Sequence, residues 1–297
     1  VDARRIDIAL GFDAAYAPHA AAVIASIARK TRTGLVRFLI LYDGVDLATR
    51  RRVERSAPDA AFHWIEIGDG DVPDFETRGH FSRAVFNRLG LEKKAPVDCK
   101  RVLYIDVDAV VLGDVRELWD TDLEGAALGA VIDCEGEPEA FAARWDLPQS
   151  DRGYFNSGVL LLDLDQIRAR KLFTAALQFF SAHHQQLTFV DQDALNVVFW
   201  NAWKPLDPAW NVQKLMALEA KVGVLPDALM FHNRAPKLVH FTGAEKPWRR
   251  DAYHPWAWLY WKAIAETEFK CDVEERSQVT MLDLARMRLR WLRRKPA

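Results

Sequence analysis

The sequence predicts an α/β fold, a doubly wound and mainly parallel sheet with a basic helix after it, and three observations carry that expectation. Short apolar runs at residues 6–10, 36–41, 62–67 and 102–105 have the length of buried strands. Segments 18–30, 47–56 and 81–91 lie between them, each with apolar residues at helical spacing. The alternation itself, strand then helix then strand, is the signature of a parallel sheet that binds ligands at the carboxyl ends of its strands.

The pattern continues with strands at 126–132 and 157–162, helices at 172–183 and 191–200, a late strand at 238–241 and a helix at 256–265. Neither an internal repeat nor a Gly/Ser linker interrupts it, so one domain is expected over residues 1–270, with a separate basic tail over 271–297. A chain of 297 residues, 50% hydrophobic and 28% charged, has the composition of a folded globular protein. Its net charge of −2 supplies no positive field for nucleic acid, and no such partner is expected. Cys99, Cys134 and Cys271 are odd in number and widely spaced, which excludes a disulfide framework and suits a reducing cytoplasm. The opening apolar run is too short for a signal-peptide core, and no stretch approaches the ~20 residues of a membrane span. A soluble, cytoplasmic protein is expected.

Asp13, Asp106 and Asp108 each follow a predicted strand and so fall on the ligand-binding edge. The segment from Arg101 to Leu112 delivers Asp106 and Asp108 on either side of Val107 at the end of an apolar strand. Paired carboxylates suit a hard divalent cation such as Mn²⁺ or Mg²⁺, whose shell a diphosphate completes. Asp-x-Asp alone occurs often by chance. The same residues also fit the nucleophile motif of haloacid-dehalogenase-like phosphatases, but those enzymes carry it on an early strand with a lysine and an acidic pair downstream. Here several strands and helices precede it and the downstream matches are poor.

A second segment decides between the readings. His240-Phe-Thr-Gly243-Ala-Glu-Lys246-Pro-Trp248 follows the late strand. An imidazole beside two carboxylates makes a mixed ligand set that suits Mn²⁺. Gly243 allows backbone N–H groups close to phosphate, and Lys246 adds a point charge for a diphosphate. His240 by itself is as ordinary as any structural histidine; the whole package is not.

In combination and in order, these segments resemble glycosyltransferase family 8, in particular its bacterial lipopolysaccharide galactosyl- and glucosyltransferases, with a core that glycogenin shares. The likeness runs from Ile6 to about Trp248. It implies a single GT-A nucleotide-sugar domain with a mixed, mainly parallel sheet. It also implies a Mn²⁺ (or Mg²⁺) cofactor, a UDP-galactose or UDP-glucose donor, and a glycan or glycolipid acceptor such as lipopolysaccharide core. Asp106, Asp108 and His240 would hold the metal. Asp13 and Tyr16 would meet the uracil, which an aromatic face and a carboxylate suit. Ala15 departs from the Asn of the bacterial galactosyltransferases and weakens one base contact. Arg88 would contact donor sugar and phosphates, with Val107, Gly243 and Lys246 also at the donor. His80 and Ser82 match acceptor-contacting positions. Asp133 and Asn156 would line the sugar cavity, Asp191 would bind the donor sugar, and Gln192 falls on the catalytic amide. Asp193 and Asn196 read as capping and first-turn residues.

The resemblance further implies retention of configuration. A covalent intermediate needs a nucleophile beneath the sugar, and Gln192 is a poor one, so attack on the face that UDP leaves is the preferred expectation. The non-enzymatic alternative is a nucleotide-sugar-binding protein without turnover. In the tail, Leu282, Ala285, Leu289 and Leu292 form a helical stripe with Arg286, Arg290, Arg293 and Arg294 on the opposite arc. Such a helix is expected to lie on an anionic membrane, holding the enzyme peripherally at the inner face of the cell membrane.

Overall fold

The structure is a computed structural model and describes residues 5–68, 83–219 and 235–293. The chain begins β1 (Ile6–Asp13), α1 (Ala17–Ala28), β2 (Val36–Asp43), α2 (Leu47–Glu54), β3 (Ala61–Glu66), α3 (Leu91–Lys94) and β4 (Arg101–Ile105). There follow β5 (Ala109–Val111), α4 (Val115–Trp119), β6 (Leu128–Ile132), α5 (Pro138–Arg144) and β7 (Phe155–Asp163). Next come α6 (Leu164–Arg170), α7 (Leu172–His183), α8 (Val190–Val198), β8 (Lys204–Pro205) and α9 (Lys214–Glu219). The described chain ends with β9 (Leu238–His240), α10 (Ala257–Ile264), α11 (Lys270–Ser277) and α12 (Met281–Leu292).

The main sheet runs in the order β3-β2-β1-β4-β7-β6-β8. It is mixed and mainly parallel: β1 pairs in parallel with β2 and β4, and β2 with β3, whereas β7 lies antiparallel between β4 and β6. From β1 the chain winds outward to β3 and then returns to add β4 on β1's other side. The connections therefore part between β1 and β4, which opens a crevice at their carboxyl ends. Because β7 runs the other way, its first residues, Phe155 to Gly158, arrive at that same crevice.

The central strands β1, β4 and β7 are buried on both faces. Ile8, Leu10 and Phe12 of β1 pack with α1 and α10 in one core layer, and Ala9, Tyr104 and Leu160 pack with α7 and α8 in the other. Side-chain carboxylates start several helices: Asp46 accepts from Thr49 N at 2.8 Å and Asp163 from Gln166 N at 3.0 Å. Each such cap is worth about 1 kcal/mol.

Two predicted elements differ in form. Residues 83–90 wind as a 3₁₀ turn sequence and only Leu91–Lys94 is α-helical; over so short a span apolar spacing does not separate three residues per turn from 3.6. The late strand joins β5 in a separate two-stranded antiparallel ribbon, with Ala109 opposite His240. Beyond residue 269, Val273 of α11 enters the α1-side core and Asp272 pairs with Arg52 at 2.7 Å. In α12, Leu284 is buried, Arg288 lies over Trp258 and Arg290 over Tyr253, while Met281, Leu282, Leu289 and Leu292 are exposed. Among the described residues no helix is long and apolar enough to cross a membrane.

Candidate active site

The end of β4 and the β5–β9 ribbon build the charged part of the site. Asp106 follows β4, tied by its N–H to Gly158 O of β7 at 2.8 Å, and the carbonyl of Asp108 accepts from Phe241 N at 2.8 Å. These backbone bonds bring His240 to the carboxylates: its Nε2 lies 3.1 Å from Asp108 Oδ1 and 3.7 Å from Asp106 Oδ2. One ligand atom from each of the three falls within 4.8 Å of the others. Gly158 keeps the space open, since a methyl group there would meet His240 and Asp106. Two carboxylate oxygens and an imidazole nitrogen converging on one point make a donor set that fits a hard-to-borderline divalent cation. Lys246 donates to Asp108 Oδ2 and to Phe241 O, and Arg88 donates to Asp106 Oδ1 at 2.9 Å, as does the Tyr104 hydroxyl at 2.8 Å. Burial opposes the Asp108 charge, yet Lys246 and His240 beside it hold its carboxyl well below the usual range.

Deeper in the crevice lies a polar pocket. Arg88, fully buried, runs from Asp106 to Asp191, whose Oδ2 is 3.2 Å from its Nε, and covers the Tyr104 ring at 4.5 Å. Burial drives the Asp191 carboxyl up to about 6, against the pull of Arg88. Gln192 donates from Nε2 to Asp133 Oδ2 at 3.0 Å and accepts at Oε1 from Ser157 N at 2.9 Å, while Asn156 donates to the same Asp133 oxygen at 2.9 Å.

At the opposite side, Tyr16 begins α1 with its ring edge-on to Trp248, and Trp248 stacks on His19 at 3.6 Å. Burial holds the His19 pKa down to about 3, so the stack is neutral. Tyr16 is thus both a helix-entry residue and part of the crevice wall.

A cleft of about 360 Å³ joins these parts. Tyr16, Arg88, Asp106, Val107, Asp108, Asp133, Asn156, Asp191, Gln192, His240, Gly243 and Lys246 all line it. Asp13 is not among the lining residues; its carboxylate accepts from Tyr16 N at 3.1 Å and so shapes the loop that carries the ring. His80 and Ser82 lie outside the described residues. Asp193 accepts from Thr188 N and Phe189 N at the start of α8, and Asn196 clasps both backbone groups of Phe155, so both act structurally. Sequence reasoning did not single out Glu135, Thr188, Phe189, Gln213 and Thr242, which also line the cleft. Only Thr242 adjoined a singled-out residue, Gly243, and adjacency is too common to select it; the others had no sequence signal.

The description of glycosyl transferase family 8 matches residues 7–252. The chain belongs to glycosyltransferase family 8. General stress protein A of Bacillus subtilis is 28% identical over 246 residues, covering 79% of this chain and 84% of its relative. The lipopolysaccharide 1,2-glucosyltransferase of Escherichia coli is 27% identical over 269 residues, 90% of this chain and 80% of the relative. Among solved structures, the galactosyltransferase LgtC in complex with donor and acceptor sugar analogues shares the fold. Its TM-score is 0.77 at 24% identity, over 89% of this chain and 96% of that one. The chain is therefore a GT-A glycosyltransferase with an acidic Asp-x-Asp metal site, and the phosphatase alternative falls away.

Proposed function

We propose that this glycosyltransferase is a retaining hexosyltransferase that moves galactose or glucose from a UDP-sugar to a hydroxyl of a glycan, forming an α-linkage. The acceptor we favour is a lipopolysaccharide-core type of glycolipid at the anionic inner face of the cell membrane. The observation that carries this reading is one continuous cleft with a carboxylate–imidazole cluster and Lys246 at one part and an amide–carboxylate pocket at another. A diphosphate suits the first and sugar hydroxyls suit the second. The glucosyl- and galactosyl-transferring relatives support a hexose donor.

Asp106, Asp108 and His240 would hold a divalent ion, Mn²⁺ before Mg²⁺, which when bound supplies Lewis-acid stabilisation of the departing UDP. Lys246 adds positive charge at the same phosphates, and Arg88, already held by Asp106 and Asp191, faces donor oxygens with a fixed fork of N–H groups. Tyr16 offers its ring to the uracil, and Asp13 holds the loop that carries that ring beside the base. Asp133, Asn156 and Asp191 bind sugar hydroxyls, and His80 and Ser82 would meet the acceptor. As the anomeric carbon gains positive character, the Gln192 amide stabilises it or positions the acceptor, and leaving-group phosphate takes the acceptor's proton. The Gln192 amide, bonded at both ends to Ser157 and Asp133, has no carboxylate oxygen for a covalent intermediate, which favours attack on the leaving-group face.

The test is release of UDP from a panel of UDP-sugars with Mn²⁺ and a soluble glycan acceptor. UDP-galactose or UDP-glucose should be consumed with formation of an α-glycoside. Binding of UDP-sugar with no acceptor-dependent release would instead identify a nucleotide-sugar-binding protein.

A further inference from the structure

The His240 imidazole is one end of a chain of hydrogen bonds whose other end is Asp133. His240 Nδ1 lies 3.0 Å from Asn211 Oδ1, Asn211 Nδ2 donates to Asn156 Oδ1 at 2.9 Å, and Asn156 Nδ2 donates to Asp133 Oδ2 at 2.9 Å. Asn211 is fully buried and Asn156 nearly so. The backbone sets Asn211 beside the ring, because Val212 N donates to Leu238 O and His240 N donates to Val212 O, running residue 212 along β9.

The direction of this chain is fixed by chemistry at two points. An ionised carboxylate only accepts, so Asn156 must turn its NH₂ toward Asp133. The Gly158 N–H only donates, and it meets Asn156 Oδ1 at 3.1 Å. Asn156 is thereby oriented from both sides. Its Oδ1 then requires a donor from Asn211, which leaves Asn211 Oδ1 to face His240. An oxygen that only accepts calls for a proton on Nδ1, which leaves Nε2, the atom that faces Asp108 and Asp106, as the nitrogen that a divalent cation would take in place of a proton.

We infer that Asn211 is a positioning residue that, through Asn156 and Asp133, holds a proton on His240 Nδ1 and so reserves Nε2 for a divalent cation. The inference rests on the proposed role of His240 in metal binding, but the tautomer is measurable with no metal present.

Histidine ring ¹⁵N shifts of the full chain, treated with chelator, should show His240 carrying a proton on Nδ1, its signal assigned by its loss in His240→Ala. Asn211→Leu keeps the volume but removes the acceptor. It should release the other tautomer and weaken Mn²⁺, followed by the electron paramagnetic resonance of the free ion, by about 10- to 100-fold. Asn211→Asp can still accept from Nδ1 but cannot donate to Asn156, and should keep the tautomer. A wild-type ring without a proton on Nδ1 overturns the inference, as does wild-type Mn²⁺ affinity in a folded Asn211→Leu variant. Should Asn211→Leu not fold, the wild-type and Asn211→Asp tautomers decide. A wild type that binds no Mn²⁺ counts against the metal reading, while its ring shifts still decide the tautomer.

Discussion

Gly158 lies against His240: a methyl group on its α-carbon would sit 2.7 Å from the ring's Nδ1 and 2.9 Å from Asp106 Oδ2. Strand β7 thus supplies bare backbone where the three candidate ligands converge. Gly158→Ala must push the imidazole or Asp106 aside. Displacement of about 1 Å in a reacting constellation costs on the order of 100-fold in rate, and we expect at least that loss in kcat/KM together with weaker Mn²⁺ binding by calorimetry. Unchanged Mn²⁺ affinity in a folded variant would show that the cluster tolerates the methyl group and is not tightly assembled.

The second prediction concerns the metal itself. Asp108 is buried between Lys246 and His240, and a neutral side chain there removes a ligand while leaving the lysine charge. Asp108→Ala should lose at least about 100-fold in turnover, the scale of a Lewis acid worth several kcal/mol. Mn²⁺ should support the wild type better than Mg²⁺, because the imidazole is a softer donor than a carboxylate. Full activity of Asp108→Ala in chelator would refute the assignment.

Much of this site was legible because its parts sit at strand ends. The runs that became β4 and β9 were visible as apolar stretches, and Asp106 and Asp108 after the first and His240 at the end of the second fell on the cleft. Pairing was not legible. Hydrophobic pattern marks a strand but not its partner, so the β5–β9 ribbon that unites Asp108 with His240 across more than a hundred residues had no sequence signature. Asn211 was invisible for the same reason: a buried amide between Trp210 and Val212 gains meaning only beside β9. Helices α4, α5, α6 and α9 are too short for periodicity to register.

A pH dependence follows from Asp191. Burial lifts its carboxyl to about 6 although Arg88 opposes the shift. As pH falls through that value the group gains a proton, loses its charge and has fewer acceptor sites for the sugar hydroxyls it is proposed to bind. The kcat/KM profile should therefore carry an acidic limb near pH 6, which Asp191→Asn abolishes while lowering the plateau. The sign for stability is opposite. A carboxyl raised on folding binds its proton more tightly in the folded state, so its contribution is greatest below the ordinary carboxylate pKa of about 4 and is lost as pH rises to about 6. Asp191→Asn should thus gain thermal stability relative to wild type at pH 8 more than at pH 4. An activity limb unaltered in Asp191→Asn would assign it to another group.

Donor selectivity is testable through the aromatic wall. Tyr16 is braced by Trp248 and lines the cleft. Base stacking on an aromatic ring is worth about 1–3 kcal/mol, so Tyr16→Ala should weaken UDP binding about 5- to 150-fold in calorimetry with Mn²⁺ present. The wild type should bind UDP more tightly than GDP or CMP. Equal or tighter GDP binding would overturn the uridine reading, with Ala15 the first place to seek the cause.

The last prediction concerns α12. Its docked face is Leu284, with Arg288 laid over Trp258, and its outward face exposes Leu282, Leu289 and Leu292 in one stripe. Five arginines fall within residues 286–294, with Lys295 beyond them. Each basic group near an anionic surface contributes about 1 kcal/mol, enough in sum to hold a chain whose net charge is slightly negative. Truncation after Ser277 should release the protein from anionic vesicles and preserve transfer to a small soluble acceptor. Raised salt should loosen the full chain's attachment, because most of it is screened electrostatics. The double substitution Leu282→Asp and Leu289→Asp spares every arginine and the docked face, so a marked loss of vesicle binding in that variant would isolate the part played by the apolar stripe. If the truncated enzyme binds vesicles as well as the full chain does, α12 is a packed helix with a solvated arginine face and the membrane proposal fails.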